Sequence, residues 1–189
     1  MGTSTNQPSP PIPPWQVARA ALANQSVTPE RQAIELWRAA YGEREGSLLA
    51  DLGSELLASA CSLATKLQTP SDAIRNFQQQ LLTGHANNLF LDMGKRALAR
   101  AVGEKSGASG FAGELFSEVT SYYASRDLPG IVGLPQRAQT TSEIIDLKNQ
   151  LRSFTKEIVK GAGTAPTDPE GWRSYVTKIV SNLRGQGNT

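Results

Sequence analysis

The chain has one cysteine, Cys61, and one histidine, His85, in 189 residues. A single cysteine closes no intramolecular disulfide, which excludes a disulfide-built scaffold and favours a reducing compartment, the cytoplasm. One histidine and one cysteine do not close a zinc site, and the acidic residues nowhere cluster at ligand spacing, so no metal or cofactor is expected. Nucleophilic catalysis is poorly provided for as well. Cys61 lies one residue off an apolar stripe in a leucine-rich stretch, where cysteine behaves as a small hydrophobe, and His85 directly follows Gly84. No apolar run approaches the ~20 residues that span a bilayer, and Met1 to Pro14 has neither the basic nor the apolar region of a signal peptide. Sustained apolar–polar alternation is missing too, so no strand is predicted. Charge of one sign is not in excess: 19 Lys and Arg against 17 Asp and Glu give a net charge of +2, too near balance to imply nucleic acid by itself. The surplus sits late in the chain, where residues 85–189 hold thirteen basic and ten acidic side chains.

What is present is helical periodicity with its punctuation. Thr28-Pro29-Glu30, Thr69-Pro70-Ser71 and Asp168-Pro169-Glu170 each set an oxygen-bearing N-cap before a proline whose missing amide hydrogen costs nothing at the first helical position. Thr140-Thr141-Ser142-Glu143 reads as a capping box. Gly42, Gly84, Gly103, Gly161 and Gly185 stand where helices should stop. Between these marks run apolar stripes: Ala33, Ile34, Trp37, Ala40 and Tyr41; Leu49 to Leu67; Ile74, Phe77 and Leu81; Phe90, Met93, Ala97 and Ala101; Phe111, Leu115, Val119 and Tyr122; Ile144, Leu147, Leu151, Phe154 and Ile158; Trp172, Val176, Ile179 and Leu183. The spacing predicts an all-α, single-domain bundle of seven helices, or eight with Gln16 to Asn24. The domain is expected over 15–184, behind a disordered Pro-rich arm at 1–14 and ahead of a flexible tail at 185–189. Asp127 to Gln136, broken by Pro129 and Pro135, reads as a turn-rich crossing with Ile131 and Val132 against the core.

Two features invite a functional reading. Gly103-Glu104-Lys105-Ser106-Gly107, followed by Gly110 and Gly113, has the flavour of a phosphate loop, but Glu104 and Ala99 stand where such a loop needs glycine and a helix leads in where a strand is required. It is expected to be a flexible helix connection. More substantial is a basic row after Thr140: Lys148, Arg152, Lys156 and Lys160 recur every fourth residue and drift by only about 40° per step, which makes one positive edge. Arg173 and Lys178 on the following helix could extend it, and Lys95, Arg96 and Arg100 form a smaller cluster. Tyr175 and the Tyr122-Tyr123 pair are candidates to put a ring at the surface, whereas Trp172 and Phe154 are expected in the core.

A helical body with a leading arm and a short tail resembles the general layout of helical coat or assembly proteins, a likeness of layout and not of motif. The sequence reading is therefore a non-enzymatic protein acting through protein contacts, a homo-oligomer. Its alternative is a binder of RNA or DNA using the basic row.

Overall fold

The computed structural model describes residues 12–40, 89–104, 106–127, 140–166 and 168–185, the side chains of Ala40, Phe90, Asp127 and Pro169 apart. Six α-helices and no strand occur among them: α1 (Pro14–Ala23), α2 (Pro29–Ala40), α3 (Leu89–Gly103), α4 (Gly107–Asp127), α5 (Thr141–Gly161) and α6 (Pro169–Leu183). The helices predicted over Leu49–Leu67 and Ile74–Leu81, the stops at Gly42 and Gly84, the loop around Ile131 and Val132, and Cys61 and His85 lie outside the described residues.

The helix starts follow their caps. Thr28 Oγ1 accepts from Arg31 N at 3.3 Å, Asp168 Oδ1 accepts from Gly171 N at 2.7 Å, and at Thr140 both halves of the capping box form. α1 begins two residues earlier than predicted, because Pro13 holds φ −55 and ψ 135 and so leaves Pro14 at the first helical position. Of the described stops, Gly185 is left-handed with a φ of +66°, whereas Gly103 and Gly161 are the last residues of α3 and α5, and after α5 the left-handed turn falls at Gly163, whose φ is +99°.

α4 is the centre. It runs antiparallel to α3 and to α5 and packs most extensively against those two, while α2 touches α1, α4, α5 and α6. Phe111, Ala112, Leu115, Phe116, Val119 and Ala124 of α4 are wholly buried. Aromatic pairs anchor it near its start and at its middle, Phe111 against Trp172 of α6 at 5.7 Å and Phe116 against Trp37 of α2 at 5.8 Å. Gly110 and Gly113, which the sequence places in a loop, lie inside this helix, and the connection shrinks to residues 104–106, with Ser106 N donating to Ala101 O. Of the tyrosine pair, Tyr123 points inward and Tyr122 outward, one position off the predicted stripe. The α5 stripe is turned likewise: Leu147, Leu151, Thr155 and Val159 are buried, and Ile144, Phe154 and Ile158 only half-buried.

Polar side chains close the helix ends against one another. Gln32 Nε2 donates to Ala21 O and Asn24 O, tying the end of α1 to α2. Arg38 Nε donates to Arg184 O at 2.8 Å, where α6 returns to α2. Tyr175, expected at the surface, is buried, and its hydroxyl reaches Val159 O and Gly163 O at 3.2 Å each. Its carbonyl partners are among those a helix end leaves open, which is why the ring turns inward.

A buried hydroxyl pair joins α2, α4 and α5. Trp37 Nε1 donates to Thr120 Oγ1 at 3.0 Å, and Thr120 Oγ1 lies 2.9 Å from Thr155 Oγ1. Thr120 also faces Phe116 O and Thr155 faces Leu151 O. Each hydroxyl has one proton, so Phe116 O, Leu151 O and the contact between the two threonines share two protons, and in either order Thr120 Oγ1 is the acceptor for Trp37 Nε1. The two threonines are therefore unequal. Thr155→Val leaves no buried donor stranded and is expected to cost about 0.5–1 kcal/mol, whereas Thr120→Val strands the Trp37 N–H and is expected to cost about 2–3 kcal/mol. Urea unfolding of both variants measures the difference, and equal losses would contradict the role of Thr120 as the acceptor for Trp37.

Candidate functional site

On α4, Glu114, Ser117, Glu118 and Ser121 recur at three- and four-residue steps, a pattern that in sequence reads as a solvent face. They are 3%, 0%, 7% and 6% exposed. The reason is supplied from both sides. α3 brings Arg96 and Arg100, and α5 brings Arg152 and Lys156, each pair four residues apart as Glu114 and Glu118 are, so three helices align matching steps along one seam.

Glu114 is held by Lys156, by Arg100 Nη1 at 3.1 Å and by Arg152 Nη2 at 3.5 Å. Glu118 is held by Arg100, by Arg152 Nη1 at 3.2 Å and by Arg96 Nε at 3.4 Å, the last an ion pair without hydrogen-bond geometry. Arg152 also donates to Ser121 Oγ at 3.2 Å, and Arg96 pairs with Asp92 at 2.8 Å along its own helix. Burial opposes the charge of Glu114, but the hydrogen bonds from Lys156 and Arg100, with their charges, outweigh it and hold the carboxyl below the usual carboxylate range. Burial likewise opposes the charge on Arg100, and its two carboxylate partners lift it above its ordinary value. The outcome is a layered arrangement with carboxylates beneath and cations above, the four outer groups exceeding the two inner ones by two charges.

This layering redistributes the predicted basic row. Arg152 and Lys156 turn toward α4 and are engaged by Glu114 and Glu118. Lys148, half-buried, and Lys160, exposed, flank them without an ion-pair partner among the described residues. Lys178 does not prolong the row, because its ammonium donates to Ala162 O at 2.9 Å and closes the end of α5. Arg173 is exposed on the second turn of α6. The row is thus two engaged cations between two open ones, with Arg96 and Arg100 joining from α3. Sequence reasoning missed the glutamates; the signal was the four-residue step shared by α3, α4 and α5.

Beside Glu114 and Lys156 the seam opens into a groove of about 550 Å³, walled by Glu104, Ser109, Gly113, Lys160, Gly163 and Tyr175 among others. Burial pushes the Tyr175 phenol up. A second groove of about 700 Å³ lies where α2, α5 and α6 meet, with Ile34, Phe154 and Ile158 among its walls. Among the described residues no group of three or more His, Cys, Asp or Glu is placed to hold a metal ion, and no helix is long and apolar enough to cross a membrane. The chain matches no protein-family model, no curated protein and no solved structure.

Because Glu114 titrates lower in the folded chain than in the unfolded one, its contribution to stability is full above the ordinary carboxylate range and is lost as pH falls through the folded value. Glu114→Gln is therefore expected to cost about 1.5–3 kcal/mol at neutral pH, and the gap from the native chain should narrow below about pH 4. Urea melts at pH 7 and pH 3.5 check this. A gap independent of pH would mean that Glu114 acts through shape alone.

Proposed function

We propose that the chain works by contact and not by catalysis, as a helical interaction protein that self-associates through one end of the α3–α4–α5 layer. The observation that supports this reading is where the exposed large hydrophobics fall. Among the described residues they are Ile12, Val17, Leu89, Tyr122 and Ile145. The ion pairs fix their level. Leu89 lies seven residues before Arg96 and Ile145 seven before Arg152, each about 10 Å from the Glu118 partner toward the C-terminal end of α4, where Tyr122 itself sits. α1 arrives at the same end, since the Arg126 guanidinium stacks 3.7 Å over the Trp15 ring and Tyr123 packs at 6.1 Å, bringing Val17 and Ile12 with it.

Five exposed apolar side chains at one end, Ile12 at 67% and Ile145 at 53% exposure, are the surface this reading assigns to contact with a second copy. Burying them yields roughly 25 cal/mol per Å² of apolar surface. The lone Cys61 supports the cytoplasm as the setting. Light scattering on a concentration series is expected to show an oligomer that Tyr122→Ser with Ile145→Ser shifts to smaller mass while the helical signal persists. An unchanged mass would overturn the reading.

A second reading, contact with RNA or DNA, is supported by the outward order of the charges: cations cover the buried carboxylates, and Lys148 and Lys160 extend them along α5. Lys148→Glu with Lys160→Glu spares the ion-pair network. That variant is expected to weaken binding of single-stranded RNA and to flatten its salt dependence. Equal affinity and slope would remove nucleic acid from consideration.

A further inference from the structure

The groove beside Glu114 lies at the opposite end of the α3–α4–α5 layer from the exposed apolar residues, and its glycines are of two kinds. Gly110 is required, since a Cβ there would overlap the Ser106 side chain. Gly163 is required by its φ of +99°. Gly113 has neither reason. It sits within α4, where glycine is a poor helix former, and a Cβ added to it would meet nothing nearer than Lys156 Cγ at 3.9 Å. What the missing side chain does is leave the groove wall clear beside Lys156.

The charges around that space are also of two kinds. Lys156 is turned onto Glu114 and is not free for a ligand. Lys160 on α5 and Glu104, just past the end of α3, line the same groove, are both exposed, and have no ion-pair partner among the described residues. They are not paired with each other. One open cation and one open anion facing a cleared groove of about 550 Å³, within the range of small-ligand sites, match a molecule that carries both charges.

From this geometry we infer that the groove binds a small zwitterion, such as a short peptide with free termini, its carboxylate against Lys160 and its ammonium against Glu104, with Gly113 giving the clearance.

The test is a titration of the full chain with glycine, diglycine and triglycine, followed through the amide resonances of Gly110, Gly113 and Gly163. N-acetylated and C-amidated forms of the tightest probe serve as single-charge controls. The expected result is saturable binding for one length, at least tenfold weaker for either blocked form and for Lys160→Met or Glu104→Gln. Gly113→Ala separates binding from folding: it should raise the melting temperature by about 2–4 °C and weaken the probe at least tenfold. Absence of saturation with all three probes, equal binding of the N-acetylated form, or full binding by Gly113→Ala would each overturn the inference.

Discussion

Two glutamates buried on a central helix impose conditions on everything packed against it. A carboxylate taken out of water loses several kcal/mol of hydration, and the loss is recovered only where cations and hydrogen-bond donors meet it in good geometry. Glu114 and Glu118 meet that condition only if α3 and α5 lie antiparallel to α4 at one register, so that Arg96 and Arg100 arrive from one side and Arg152 and Lys156 from the other. A slip of α5 by one turn would carry Arg152 or Lys156 past its carboxylate and leave a buried charge underpaired. Apolar packing alone discriminates less sharply, because apolar side chains of similar volume substitute for one another at small cost. The network selects among arrangements that the core would accept.

The hydroxyl pair of Thr120 and Thr155 acts on the other side of the same helix. There α2 approaches, and Trp37 brings an indole N–H that must find an acceptor once buried. α4 is thus pinned by charge toward α3 and α5 and by hydroxyls toward α2 and α5, with its rings between. Its two ends then differ in character. Toward Asp127 the layer presents apolar side chains beside the stacked Trp15 and Arg126, and toward Gly107 it opens into a polar groove.

Much of the fold was legible from local chemistry. The caps at Thr28, Thr140 and Asp168 are recognisable because a capping hydrogen bond spans three residues and needs no tertiary partner. The stripe Trp172, Val176, Ile179 and Leu183 is buried throughout, because α6 lies on the body with one face only. α4 was harder, since a helix enclosed on most sides has no single stripe, and Glu114 and Glu118 pass for a wet face when their partners lie 14 to 42 residues away in sequence. The basic row belongs to α5, but which of its charges are engaged depends on α4. Residue spacing within α5 has no access to that.

The three tryptophans occupy three unlike surroundings. Trp15 is half-buried under the Arg126 guanidinium, Trp37 is buried and donates to Thr120, and Trp172 is buried against Phe111 with its indole N–H unpartnered among the described residues. Each indole watches a different seam: α1 on α4, α2 on α4, and α6 on α4. Emission colour and quenching depend on local polarity and neighbouring charge, so loosening at one seam alters one fluorophore and spares the other two. The chain carries a built-in optical readout of which helix leaves α4 first.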